Sequence, residues 1–273
     1  MAQDLETLTI RKDGAVLFAE ISAPPMNLLG PPLVRDLVAL IQRAEADAGV
    51  RVLVFKSANP DYFIAHVDVT RISEYREVAA KLVGEGSLAL LFRRLSSSRL
   101  VTIAQVEGRV RGAGSEFVLA CDMRFAAQGR AIFSQPEVGF GLIPGAGGMQ
   151  HLARLLGRGR ALEVILSAGD YDATLAERYG WINRALPADE LEDFVRTLAQ
   201  RVSRFPAAAL AIAKDRIHAV ALPALDDFRR DSDLFLETAR EPAAQHRIQA
   251  AMQRGFQTPG AELDLAGMVD SLD

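Results

Sequence analysis

The sequence predicts an α/β core followed by a helical C-terminal region, and three observations carry that prediction. Short β-branched runs alternate with amphipathic helical stripes up to about residue 187. Beyond that point one helical pattern follows another and no strand signal returns. The 273 residues are 49% hydrophobic, enough to bury a sizeable core.

Taken in order, "LETLTI" and "AVLFAEIS" flank "RKDG", whose Asp13-Gly14 pair signals a hairpin. "SAPPMNLLGPP" is a Pro/Gly loop, and "LVRDLVALIQRAEAD" places Leu33, Leu37, Leu40 and Ile41 on one helical face. "VRVLVFKSA" reads as a buried strand. "DYFIAHVDVT", residues 61–70, reads as another, with His66 and Asp68 two apart and so on one face. A single long helical pattern covers 72–97. "LVTIAQVEG" is a strand, "GAGSEFVLACD" starts a helix after small residues, and "MRFAAQ" and "AIFSQPE" are strands around Gly129. "GGMQHLARLLG" is a helix closed by Gly157, "RALEVILSA" is another, and "WINRALP" is a short strand. Four helices then follow, from "LEDFVRTLAQRVSRF" to "EPAAQHRIQAAMQRG". The final "QTPGAELDLAGMVDSLD" is polar and less periodic, and reads as partly loosely held.

A net charge of −4 argues against a strongly basic face and hence against nucleic acid as a partner. Cys121 is the single cysteine, so no intrachain disulfide can form and a reducing compartment is expected. "MAQDLETLTIRKDG" is acidic and lacks the apolar run of a secretory signal. No apolar stretch approaches the ~20 residues needed to span a bilayer. The expectation is a soluble cytoplasmic protein.

"GAGSEF" (112–117) and "GAGGMQ" (145–150) each begin G-x-G, but neither completes a dinucleotide fingerprint or a P-loop, and both read as tight turns. Ser115 is in no nucleophile elbow. His151, His218 and His246 lie in Lys-, Arg- and Gln-rich helical patterns and read as solvated. No His or Cys spacing resembles a metal-ligand set, so no metal is expected. Two carboxylates stand apart. Glu116 is flanked by Gly, Ala, Ser, Phe, Val and Leu, and Glu137 sits among apolar residues and turns. Desolvation raises such pKa values toward neutrality, which suits acid–base chemistry; a helix-start carboxylate bound to backbone N–H groups is the structural alternative. If a helix begins near Gly112, Ala113 N–H is one of its unpaired first-turn donors and Glu116, at i+3, shares its face. One helix start then offers an oxyanion donor beside an acid or base.

"EGRVRGAGSEFVLACDMRFAAQGRAIFSQPEVGFGLIPGAGGMQHLARLLG" resembles the core of the crotonase superfamily, the enoyl-CoA hydratase/isomerase proteins. "PPMNLL", the strand at 51–56 and "RALEVILSAGDYDATLAERYGWINRALP" extend the resemblance to about residues 5–205. It implies a spiral of repeated ββα units over residues 1–200 that holds the acyl-CoA site. A helical trimerisation region would follow over 201–273, with assembly as a homotrimer or dimer of trimers. It implies an acyl-CoA thioester as substrate, with no separate cofactor because coenzyme A is part of the substrate. Residue by residue, it implies oxyanion donors at the backbone N–H of Val67 and Ala113, and catalytic carboxylates at Glu116 and Glu137. Because both carboxylates are present, hydration of the C2–C3 double bond is the leading expectation. Double-bond isomerisation, another thioester reaction, or CoA binding with little catalysis are the alternatives.

The resemblance also implies contacts to the substrate from Met26, Ile64, Ala65, His66, Arg71 and Gly112. His66 is the main departure, standing where the family has glycine. Its ring could point to solvent, contact the CoA or acyl group, or narrow the channel. Asp68 is expected to be structural, as a cap for the following helix.

Overall fold

The computed structural model describes residues 5–272; residues 1–4, where the stretch read as lacking a secretory signal begins, and Asp273 lie outside the described residues. The chain opens with the expected hairpin, β1 (Leu8–Asp13) and β2 (Val16–Ile21), joined across Gly14 and Ala15. The Pro/Gly loop leads into α1 (Pro31–Ala46), which buries Leu33, Leu37, Leu40 and Ile41 as its stripe requires. β3 (Val52–Ser57) and β4 (Tyr62–Ile64) come next.

The strand expected over 61–70 is therefore short. Beyond Ile64 the chain turns away, and only Val67 keeps a bridge, to Leu29. The single helix expected over 72–97 is two, α2 (Ile72–Val83) and α3 (Leu88–Ser96). α2 ends at Gly84, and Ser87 caps α3 by accepting from Leu90 N–H, so one apolar stripe serves two axes.

β5 (Val101–Val106), β6 (Arg109–Arg111) and α4 (Ala113–Ala120) form the next unit, and β7 (Met123–Ala127), β8 (Ile132–Ser134), α5 (Gly148–Leu156) and α6 (Arg158–Ser167) the one after. β9 (Asp170–Asp172), α7 (Ala173–Tyr179) and β10 (Arg184–Leu186) close the core, and α8 (Ala188–Ser203) packs Leu191, Val195 and Ala199 on the larger sheet. β6 and β9 gave no sequence signal, each being one apolar residue between two charged ones.

Each unit divides its strands. β3, β5 and β7 join a six-stranded sheet ordered β1-β2-β3-β5-β7-β10, while β4, β6 and β8 join a four-stranded sheet ordered β4-β6-β8-β9. Apart from the β1–β2 and β8–β9 pairs, neighbours are parallel. The strands around Gly129 thus belong to different sheets. The repeat is a spiral of ββα turns, and its helices face the apolar interior between the sheets.

Four helices follow: α9 (Ala207–Ala221), α10 (Leu225–Thr238), α11 (Pro242–Gln253) and a short α12 (Leu265–Asp270). The expected boundary at residue 200 falls inside α8, whose last turn reaches Ser203. The tail read as loosely held is docked: Leu265, Val269 and Leu272 bury against Phe140, Ala251 and Phe256, and Arg247 ties the carbonyls of Gly139, Val269 and Leu272. Of the histidines read as solvated, His246 is exposed, but His151 is not. Its ring sits edge-on to Phe228 with centroids 5.5 Å apart, and burial, reinforced by Arg124 and Arg154, pushes its pKa down to about 3. Among the described residues no helix is long and apolar enough to cross a membrane.

Candidate active site

β4 and β6 run parallel in the smaller sheet, Ile64 opposite Val110, so the turns that leave them lie side by side. Gly112 holds φ +50 and ψ −128, a conformation that favours glycine. A Cβ there would lie 3.0 Å from Glu137 Oε1 and 3.5 Å from His66 Cβ, so three segments of the expected site meet at this residue. At Gly114 a Cβ would sit 2.2 Å from the Ile64 carbonyl oxygen; the missing side chain sets how closely α4 lies on β4.

The two N–H groups follow from the backbone. In a trans peptide the N–H points opposite to the carbonyl of the same unit. The His66 carbonyl accepts from Leu29 N–H at 2.8 Å, so Val67 N–H points the other way, to the side of the cavity that Val67 lines. The Gly112 carbonyl accepts from Glu116 N–H at 3.0 Å as the first bond of α4, which leaves Ala113 N–H unused at the helix start. Neither N–H donates to another described residue, and Ala113 lines the same cavity as Val67.

That cavity has a volume of about 150 Å³ and a largely apolar wall, with Ile72, Leu88, Phe140, Phe235, Ile248 and Phe256 among its residues. Glu116 and Glu137 both face it and are almost wholly buried. Glu116 Oε1 accepts from the N–H groups of Ala146 and Gly148 at 2.7 and 2.8 Å, so the second glycine loop serves as a cradle for this carboxyl. Burial still outweighs those bonds and pushes its pKa up to about 7. Burial and the neighbouring Glu116 hold Glu137 well above the usual carboxylate range. The Gln135 amide, turned as its surroundings require, donates to Glu137 and accepts from Ser115. Two interacting carboxyls in so buried a site titrate as a pair, and each raises the cost of ionising the other.

The structure brings together Val67, Ala113, Glu116, Glu137, Gly112 and His66. It places Met26, Ile64 and Ala65 fully inside the core, with none of the three on the cavity wall. Arg71 lies outside the cavity and pairs with Glu74, through Nε at 3.0 Å and Nη2 at 2.5 Å. Asp68 does not cap α2, whose N-cap is Arg71; its Oδ1 accepts from Thr70 N–H and hydroxyl and from the Gln257 amide. His66 is 4% exposed, which removes the solvent-facing outcome for its ring.

Sequence reasoning missed Arg76, which lines the cavity and donates to Ser232 Oγ at 3.1 Å. It also missed the walls contributed by α10, α11 and Phe256, so the cavity draws on the helical region as well as the spiral. Glu262 gave no signal either, because a contact across 196 residues leaves no local periodicity.

A second, larger cavity of about 410 Å³ lies beyond the other end of α4, lined by Asp122, Lys214, His218, His151 and Arg154 among others. Asp122 Oδ2 accepts there from Lys214 Nζ at 2.8 Å and from Thr102 N–H at 2.8 Å. Size does not select the site: the smaller cavity alone holds the unused N–H groups of Val67 and Ala113 and the raised carboxyls Glu116 and Glu137.

Known proteins place this architecture. A short-chain-enoyl-CoA hydratase from Clostridium acetobutylicum is 30% identical over 216 residues, covering 79% of this chain and 82% of that one. A 2,3-dehydroadipyl-CoA hydratase from Escherichia coli is 30% identical, covering 92% and 97%. A Streptomyces avermitilis crystal structure, provisionally named an enoyl-CoA hydratase, superimposes with a TM-score of 0.97 at 52% identity, covering 100% and 99%. The enoyl-CoA hydratase/isomerase family matches residues 11–257, and with the spiral fold and these relatives in view, the chain belongs to that family, the crotonase superfamily of the sequence reading.

Proposed function

We propose that this protein is an enoyl-CoA hydratase that adds water across the C2–C3 double bond of an acyl-CoA thioester. The observation that carries the reading is the convergence of two buried carboxyls and two unused backbone N–H groups on one cavity. The thioester oxygen sits between Val67 N–H and Ala113 N–H, which hydrogen-bond the enolate oxygen as charge builds on it. The two carboxyls share the proton handling. Glu116, held near 7, is the partner that ionises and takes a proton from water as it attacks C3. Glu137, raised well above the usual carboxylate range by burial and by Glu116, is the proton donor toward C2.

The test is loss of enoyl absorbance when purified protein meets crotonyl-CoA and longer enoyl-CoAs. A 3-hydroxyacyl-CoA product is expected, and no turnover at any chain length would sink the reading. Conversion of a 3-enoyl-CoA to the 2-enoyl isomer without hydration would transfer the site to isomerisation.

The reading includes assembly as a homotrimer or a dimer of trimers in the cytoplasm. α9 has no buried residue and exposes Ile212, Ile217 and Val220, the last at 87%, a face that a second copy of the chain would cover. Sedimentation at the mass of a monomer would overturn that assembly.

A further inference from the structure

Residues 256–262 fold back onto the segment that carries the Val67 donor. The His66 ring stacks on Phe256, centroids 4.6 Å apart and planes 14° apart. His66 Nε2 pairs with Glu262 Oε1 at 2.8 Å, and the same oxygen accepts from Gln257 N–H at 2.7 Å. Gln257 reaches the same loop, its Oε1 accepting from Val69 N–H at 2.7 Å and its amide donating to Asp68. Tyr62 hydroxyl donates to the Pro259 carbonyl. Arg111, fully buried and neutralised by Asp170, donates to the Glu262 carbonyl at 2.8 Å.

What this assembly holds is specific. His66 Nδ1–H donates to the Val67 carbonyl at 2.7 Å. Leu29 N–H fixes the peptide before Val67 and the His66 ring fixes the peptide after it. A glycine at position 66 would leave the second peptide untied and the tail without its stacking partner.

We propose that His66 and Glu262 are positioning residues: the tail, through Glu262 and Phe256, holds the His66 ring on the Val67 carbonyl and so fixes the peptide after Val67, which together with the Leu29 bond on the peptide before it sets the backbone that carries the Val67 N–H donor. This rests on the proposed function, because it gives that N–H its task. Both ring nitrogens of His66 are engaged by Val67 and Glu262, so the ring acts through the backbone it holds. The tail is thus a part of the oxyanion site supplied from the far end of the chain.

The experiment compares wild type with His66→Ala, His66→Asn, Glu262→Ala and the double variant His66→Ala/Glu262→Ala. Two readouts serve: crotonyl-CoA kinetics, and the ultraviolet enolate band of acetoacetyl-CoA, which reports polarisation of a thioester oxygen without turnover. His66→Ala and Glu262→Ala should each lower kcat by about 10- to 100-fold, less than outright loss of one oxyanion donor. KM should hold and the enolate band should weaken. The double variant should match the singles, because the two residues act as one unit. Asn at position 66 keeps a short donor toward the Val67 carbonyl and should recover part of kcat, and it supplies the folded comparison if an alanine variant does not fold. Variants with wild-type kcat and enolate band, or with KM raised and kcat unchanged, overturn the clamp alone. A wild type that neither hydrates crotonyl-CoA nor polarises acetoacetyl-CoA overturns the hydratase reading and the clamp with it.

Discussion

Glu116 and Asp122 lie six residues apart, one in the first turn of α4 and the other just past its end, and their environments push them in opposite directions. Glu116 has two backbone N–H partners but no cation, with Asp231 adding negative charge, so burial wins and its pKa rises to about 7. Burial pushes Asp122 the same way, but His218 and Lys214 outweigh it and the net shift is downward. Burial alone therefore does not make an acid–base residue. The partner sets the sign, and only the unpaired carboxyl can hand a proton back and forth near neutral pH.

The most severe way to break this comparison is to remove a single proton site. Glu137→Gln and Glu116→Gln should each lower kcat for crotonyl-CoA hydration by about 10²–10⁴-fold, the span general acid–base catalysis supplies. Asp122→Asn should leave kcat unchanged, and a folded Asp122→Asn protein without activity would end the distinction between the two carboxyls.

Packing at α4 comes next. In Gly114→Ala the new Cβ meets the Ile64 carbonyl at 2.2 Å, so helix and strand must separate. Overpacking of this kind costs about 1–3 kcal/mol, and because the same contact aligns Ala113 with Val67, kcat should fall as the melting temperature does. Unchanged kinetics would show that the spacing of α4 and β4 does not set the site.

Asp122→Asn should destabilise the protein by about 1–3 kcal/mol, because Lys214 loses its charge partner in a largely buried setting. Chemical denaturation measures it, and a neutral result would place the pair among ion pairs that contribute little.

The smallest and sharpest effect is in pH dependence. Glu116 keeps its proton in the folded state at pH values where the unfolded chain has lost it. Its contribution to stability is therefore present below the ordinary value of 4.5 and is lost as pH rises toward about 7. Asp122 is depressed below its ordinary 3.8, so its contribution is present above that value and is lost as pH falls through the folded value. Melting curves of the two amide variants against pH should differ from wild type in these separate windows. Glu116→Gln should gain on wild type toward pH 8, and Asp122→Asn should close its deficit in acid. Parallel curves would refute the opposed electrostatics.

Much of this was legible without coordinates. The apolar stripes of α1 and α5, the β3 and β5 runs and the hairpin at Gly14 are local patterns, and period and turn chemistry determine them. Glu116 and Glu137 stood out because charged residues are rare among small and apolar neighbours, and the G-A-G start placed an unpaired donor one turn from Glu116. The short strands β6 and β9 were not legible, because each sets a single apolar residue between two charged ones, Arg-Val-Arg and Asp-Tyr-Asp, and shows no apolar run. The split of the 72–97 helix was hidden because its apolar spacing survives the break.

The sequence by itself thus determined the alternation of elements, the identity of the two carboxyls and the family. Only the tertiary structure decided that the Val67 N–H remains unused, since that depends on Leu29 reaching the His66 carbonyl. It alone decided the sign of each buried acid, because Lys214 arrives at Asp122 from 92 residues away. It also overturned the reading of the tail as loosely held: Glu262 and Phe256 look unremarkable in their own neighbourhood and acquire meaning against His66, nearly two hundred residues earlier. The physical reason is common to all three. Local sequence fixes conformation through short-range sterics and periodicity, whereas electrostatics and hydrogen-bond satisfaction depend on what the finished fold brings within a few ångströms.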